Sequence, residues 1–227
     1  CEYIYWYENI FLKVCELAGI KLPTFASEMV SSIKDNSFSS RTIKEFTSFV
    51  TSKYNFEMES LLEKLNEEIT KIVNKYMKDF KNNLPNKDIQ VDMKYTLIID
   101  FKDFYYNDYV SFVFYIEYFT GGAHPNHEIV TINYDKRTNI FIKIENLLEK
   151  NKDILDIFSK ISRINLINNP KITVTSMMYE GTKPIKDNFK NFVFTKDGIL
   201  LLFNYYQVAP YSQGEFNTTV KYSALKN

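Results

Sequence analysis

The feature that most constrains this chain is a change of hydrophobic period near residue 85. Upstream, "NFEMESLLEKLNEEITKIVNKYMKDFKNNLP" places Met58, Leu61, Leu62, Leu65, Ile69, Ile72, Val73, Tyr76 and Phe80 on one helical stripe, with Glu63, Glu67, Lys71 and Lys75 on the wet face. Asn82, Asn83 and Pro85 stop that helix. Downstream, "IQVDMKYTLIIDFKDFYY" and "YVSFVFYIEYFT" alternate with period two, so 89–106 and 109–119 read as an antiparallel hairpin. "HEIVTINYD" is a third strand, "KRTN" a turn and "IFIKI" a short fourth strand.

The period then reverts. "ENLLEKNKDILDIFSKISRINLINN" reads as helix, with Leu147, Leu148, Ile154, Ile157, Phe158, Ile161 and Ile164 inward, and Pro170 ends it. Residues 171–189 read as irregular. "KNFVFT" and "ILLLFNYY" form a second hairpin around Lys196-Asp197-Gly198. "QVAPYSQGEF" is a loop, and "NTTVKYSAL" closes the chain as a strand. At the start, Ile4, Tyr7, Phe11, Val14 and Ala18 have helical spacing over 3–18, and short helices are expected near 25–34 and 40–53. Short turns make the strands antiparallel, and the inserted helices must cover a sheet face. The expected class is therefore α+β, an antiparallel β-sheet packed by helices with a helical N-terminal extension. The expected division is 1–56 for that extension and 57–227 for the α+β domain.

Composition narrows function mainly by exclusion. Lys+Arg and Asp+Glu number 28 each, so the formal net charge is zero and no basic excess points to nucleic acid. No run approaches 20 apolar residues, and "YIYWYENIFLKVCELAGI" is broken by Glu8, Lys13 and Glu16, so it fits neither a membrane span nor a signal peptide. At 227 residues a chain buries roughly 70–75% of its unfolded surface and needs no metal or disulfide staple. Cys15 falls on a helical apolar face and reads as a small buried hydrophobe. Two explanations stand for a sequence that opens at Cys1: a lipidated first residue, or a trimmed piece of a longer chain. A membrane would be met only through such a lipid anchor or a segment upstream of Cys1.

Two stretches stand out. "FTGGAHPNHEIV" holds two of the 6 Gly and both His of the chain. A zinc site needs at least three protein ligands, and His124 with His127 supplies two, on a loop rather than at helical spacing. The better reading is a φ-positive corner at Gly121-Gly122, with His124 satisfying backbone groups or facing a partner. No Ser lies in a nucleophile elbow, and nothing selects a catalytic pair among Glu117, Glu128, Asp135 and Glu180. In "NYYQVAPYSQG", Pro210 fixes φ, Gly214 permits a sharp exit, and Tyr205, Tyr206 and Tyr211 offer rigid amphipathic area suited either to binding or to plugging a sheet edge.

Taken in order, "YFTGGAHPNHEIVTINYDKRTNIFIKIENLL", a helix, and "FTKDGILLLFNYYQVAPYSQG…VKYSAL" resemble a bacterial extracytoplasmic domain of unknown function. That domain is shared by RsiV-type anti-sigma factors, which sense lysozyme, and PdaC-type peptidoglycan deacetylases. Gly121, Gly122, Ala123, His124, Tyr134, Asp135, Thr138, Gly198, Tyr206, Ala209, Pro210, Tyr211 and Gly214 match the pattern, over about residues 58–226. Pro125 stands where Gly is usual, Asn139 where the turn has Gly, and Ser212 where it has Ala; His127 has no counterpart, and residues 1–50 do not resemble the usual start. The resemblance implies a secreted, periplasmic or membrane-tethered envelope module. It implies no catalysis, because in the deacetylases the chemistry lies in a separate domain. The expected function is a non-enzymatic binding or sensor module whose ligand is a protein, lysozyme-like among the options, or a peptidoglycan-type wall glycan. Gly121, Gly122, His124, Tyr206, Pro210, Tyr211 and Gly214 would form its contact face, with no metal or other cofactor. The alternatives are a metal-assisted hydrolase using His124 and His127, or a structural accessory domain.

Overall fold

The computed structural model describes residues 56–84 and 94–225, with side chains from residue 63 onward. The expected helices before residue 56, the two cysteines and the strand residues 89–93 lie outside that range. The chain divides into two compact units, Cys1–Asn83 and Leu84–Asn227. In the first, helix α1 runs Phe56–Asn82. Its stripe is legible in burial: Leu65, Ile69, Tyr76 and Phe80 are buried, while Glu63, Glu67, Lys71 and Lys75 are exposed. The Asn83 amide closes the last turn onto Asp79 O.

The second unit is α+β, with seven strands in two antiparallel sheets rather than one. β1 (Thr96–Tyr106), β2 (Tyr109–Phe119), β3 (Asn126–Asp135) and β4 (Ile140–Phe141) form the first, in sequential order. β5 (Phe192–Thr195), β6 (Gly198–Phe203) and β7 (Phe216–Val220) form the second. Between the two sets run α2 (Ile144–Lys150), α3 (Ile154–Ile167) and α4 (Thr175–Gly181). Tyr106 pairs with Tyr109 across a two-residue turn, and Asn107 takes φ 52 there, a left-handed conformation Asn tolerates. Asn139 does the same at φ 59, so it replaces a turn glycine at little cost. Asp135 Oδ1 caps that turn by accepting from the Arg137 and Thr138 amides.

Strand alternation sorts the second sheet into two working faces. Phe192, Phe194, Ile199, Leu201, Phe203, Phe216 and Val220 belong to one buried cluster with Ile144, Leu147, Ile154, Phe158, Leu166 and Met178 of the helices. On the other face Val193 and Leu202 pack with Val113 and Ile129 of the first sheet. The layers are thus sheet, sheet and helices. Where the sheets meet, side chains close their open edges. The Phe192 and Phe194 amides donate to Thr131 Oγ1 and Ser111 Oγ (3.3 Å each), and Phe192 O accepts from Asn133 Nδ2 at 2.8 Å. On β3, Ile129 N–H donates to Asn204 Oδ1 (2.6 Å) and its carbonyl accepts from Asn191 Nδ2 (2.9 Å). Buried backbone groups that lack a ladder partner are satisfied in this way rather than left open.

Several finer expectations change. The single helix of 145–169 is two helices, because Asn151 turns the chain: its amide caps Leu147 O and its side chain accepts from the Asp153 amide. Ile164 points outward, 54% exposed; Ser159, Ser162 and Leu166 take the inner face instead. Ser162 Oγ meets Thr218 Oγ1 at 3.0 Å, so a small polar pair sits between helix and sheet. Residues 171–189 hold α4 and a 3-10 turn, Lys186–Phe189, where the sequence read as irregular. The "IFIKI" strand shrinks to two residues because Ile144 already starts α2, and the last strand stops at Val220 before a 3-10 turn at Tyr222–Leu225.

Gly198 is the first residue of β6 rather than part of the turn, and a Cβ there would lie 2.2 Å from Val220 O. Gly198→Ala must push β7 away, and overpacking of this kind costs about 2–3 kcal/mol. Urea unfolding should show a lower midpoint with an unchanged slope.

Candidate functional site

The two loops singled out by sequence, 120–127 and 204–214, meet in space. Their backbones are special for conformational rather than packing reasons. Gly121 and Gly122 take φ 104 and 114, and an added Cβ would meet nothing closer than 3.9 Å, so the dihedral alone demands glycine. Pro210 (φ −57) leads into a 3-10 turn, Tyr211–Gln213, and Gly214 leaves it at φ 78. Buried Val208 and Ala209 root the loop in the helix-side core. Gln207 fixes the loop's other arm, its Nε2 donating to Gly181 O and Asn188 O and its Oε1 accepting from the Asn204 amide. The Gln207 amide also donates to Asn204 O, closing a turn in which Tyr206 takes φ 63. A bulky residue held there is a backbone outlier, costing on the order of 1–3 kcal/mol.

Four rings gather around Tyr211. His124 stacks on it at 3.8 Å between centroids, Tyr205 lies at 5.1 Å, Tyr206 at 5.6 Å and His127 at 5.7 Å. His127 in turn stacks on Tyr205 at 4.3 Å. Hydrogen bonds fix the rings. Pro125 O accepts from Tyr211 Oη and from His124 Nδ1, both at 2.8 Å. A carbonyl only accepts, so His124 carries its proton on Nδ1, and Nε2 is left to accept from the Tyr206 hydroxyl at 3.4 Å. The Tyr211 proton is committed to Pro125, so His127 Nε2 donates to Tyr211 Oη (3.0 Å), and His127 Nδ1 faces Glu117 Oε2 at 3.6 Å. Burial first, then the neighbouring Glu117 and Tyr206, raise the Tyr211 phenol above its ordinary range, so the ring stays a donor. Tyr206 is the outermost member, 56% exposed.

Beside the cluster lies a cleft of about 480 Å³. Its floor is two cross-strand rows on one sheet face, Ile98–Glu117–His127 and Asp100–Tyr115–Ile129. Tyr205, Gln213, Gly214 and Glu215 form a wall, with Lys171 at the side. Desolvation raises the Glu215 carboxyl above 4.5, against the lowering pull of Lys102 and His127. A carboxyl raised in the fold disfavours the charged folded state, so stability declines as pH climbs from 4.5 through the raised value. Glu215→Gln should flatten that decline in a stability–pH series.

Of the seven sequence-selected residues, His124, Tyr206 and Tyr211 are rings of the cluster, Pro210 and Gly214 flank Tyr211 in its loop, and Gly121 and Gly122 form the positive-φ corner of the loop that carries His124. The sequence offered Tyr205 as ring surface and His127 only as an alternative metal ligand; it did not show that His127 and Tyr205 stack, or that Glu117 and Pro125 hold the rings. The available signal was register: in the 109–119 strand Glu117 lies opposite His127, both on the face that looks toward the Tyr-rich loop. Both histidines turn their ring nitrogens to neighbours within the cluster, His124 to Pro125 O and the Tyr206 hydroxyl, His127 to the Tyr211 hydroxyl and toward Glu117. Among the described residues no three His, Cys, Asp or Glu gather into a metal-holding group. Of the other carboxylates considered, Asp135 caps a turn and Glu180 pairs with Lys183 at the surface.

A family profile described as "Deacetylase PdaC" matches residues 14–127, and one described as "Protein of unknown function (DUF3298)" matches residues 128–223. The chain belongs to this family of extracytoplasmic, envelope-associated domains, shared by PdaC-type and DUF3298 proteins. The match begins at residue 14, so the likeness extends upstream of residue 58 and corrects the reading that residues 1–50 are unlike the usual start. The chain is 30% identical over 168 residues to the peptidoglycan-N-acetylmuramic acid deacetylase PdaC of Bacillus subtilis, covering 73% of this chain and 36% of that protein's length. Among solved structures it is similar to a DUF3298-family protein of Bacteroides fragilis (20% identity, TM-score 0.48, covering 84% of this chain and 69% of that one). Another of Pseudomonas aeruginosa gives 17% identity and TM-score 0.47, covering 66% of each chain. Among the described residues no helix is long and apolar enough to cross a membrane.

Proposed function

We propose that this domain is a non-enzymatic binding module of the cell envelope. Its contact face is the ring cluster on the 120–127 and 204–214 loops, and its ligand is the wall glycan or a lysozyme-like protein that works on it. The observation that carries this reading is Tyr206, a large ring held 56% exposed on a backbone at φ 63, directly beside the His124–Tyr211 stack. Strain of that kind persists where the surroundings enforce it, and presenting a ring to a ligand is a use for it. The hydrogen-bond chain supports binding over catalysis. It runs from His127 through Tyr211 and ends at Pro125 O, which has no proton to give or take, while Glu117 Oε2 only faces His127 Nδ1 at 3.6 Å. A relay that ends on a carbonyl positions rings; it does not activate a nucleophile. The Bacillus subtilis relative is named for action on peptidoglycan, which favours the glycan as the first ligand to try.

The test is binding to purified wall sacculi and to lysozyme, with folding monitored by circular dichroism. His124→Ala removes the stacking partner of Tyr211 and should weaken binding about tenfold, the scale of a single interface anchor. A variant that loses stability while binding unchanged would make the cluster purely structural.

A further inference from the structure

The cleft beside the ring cluster has an unusual polar inventory. Asp100, Glu117 and Glu215 contribute carboxylates, and Lys171 is the one ammonium side chain among its lining residues. Gln213 donates its Nε2 to Thr173 Oγ1, and its Oε1 is buried without a partner. The groups around the space are thus mainly acceptors. The apolar surface is also placed for a ring: Ile98 is 50% exposed at the cleft floor, and the Tyr205 ring stands in the wall. Tyr205 and His127 belong both to the cleft and to the ring cluster, so the two surfaces are continuous.

We infer that this cleft binds a hexosamine unit whose amine is free, in a glycan strand that has lost N-acetyl groups. The inference rests on the glycan reading above and names the sugar it selects. An N-acetylated sugar presents a neutral amide and a methyl group to the cleft. A free amine is protonated near neutral pH and brings three N–H donors to a space edged by carboxylates. Its pyranose face lies against Tyr205, and the next rings of the strand continue over Tyr211 and His124 toward Tyr206. A lone lysine or arginine side chain of a protein could satisfy the carboxylates. The 480 Å³ space and the row of rings leading out of it fit a chain of saccharides better than one side chain.

Calorimetric titration of the domain at low ionic strength with a fully de-N-acetylated glucosamine tetramer, its N-acetylated counterpart and tetralysine decides the matter. The free-amine tetramer should bind at least tenfold more tightly than either comparator. Asp100→Asn with Glu215→Gln should cut that affinity at least tenfold and abolish the preference over the acetylated tetramer. Equal binding of the acetylated tetramer, tetralysine binding as tightly as the sugar, or no binding of the free-amine tetramer each overturns the inference. If sacculi still bind and lose affinity on His124→Ala while the free-amine tetramer does not bind, the cleft assignment fails and the binding module stands. Loss of neither interaction on substitution defeats both.

Discussion

Replacing Tyr206 by glycine should move stability and binding in opposite directions. The residue sits at φ 63, where glycine is unstrained, and its ring is 56% exposed, so little burial is lost. Relief of the dihedral should raise stability by about 1 kcal/mol, partly offset by the greater entropy of the unfolded chain. The same change removes the outermost ring of the contact face. Tyrosine anchors at interfaces contribute about 2 kcal/mol or more, so affinity for the ligand should fall on the order of 30-fold. A substitution that stabilises a protein while disabling it separates a functional strain from a packing need. Thermal unfolding and a binding isotherm on the same preparation give both readings. Unchanged affinity would remove Tyr206 from the contact face.

Asn133→Ala should be the most damaging change at the junction of the sheets. Asn133 accepts from Ser111 Oγ at 2.6 Å and donates to Phe192 O at 2.8 Å, and both asparagine and serine are buried. Truncation leaves a buried hydroxyl and a buried edge-strand carbonyl without those partners. At roughly 1–3 kcal/mol for each stranded group, the loss should be about 3–4 kcal/mol. Adding Ser111→Ala should return part of it for the hydroxyl, while the Phe194 amide loses its acceptor. A double-mutant cycle by chemical denaturation reads that coupling.

The period of the hydrophobic residues made the strands and the long helix legible, because alternation and the 3.6-residue stripe follow directly from which face is buried. β2 is read at its observed limits, 109–119, and α1 within a few residues. What the sequence concealed were features that depend on contacts distant along the chain. The break at Asn151 is a local side-chain turn inside an otherwise helical pattern, and Ile164 has the right spacing but faces outward once Ser162 packs on Thr218. Two sheets rather than one follow from Ser111, Thr131, Asn133, Asn191 and Asn204 closing strand edges. Polar residues in strands give no such signal when read alone. At the site, Gly121, Gly122, Pro210 and Gly214 were legible because backbone geometry restricts residue choice. His127 and Glu117 were not, since their meeting depends on strand register and their role on a loop about 80 residues away.

The central claim is that the face built by residues 120–127 and 204–215 is where this domain meets its ligand. The most direct measurement is a nuclear magnetic resonance titration of the isotope-labelled domain with soluble glycan strands and, separately, with lysozyme. The account predicts that the shifts perturbed by whichever ligand binds cluster at Gly121–His127, Tyr205–Gly214 and the facing Glu117, leaving the helix-side core of Phe158, Phe189 and Phe203 unmoved. Perturbation centred on the outer surface of α3 and α4 instead, with the ring cluster silent, would contradict it.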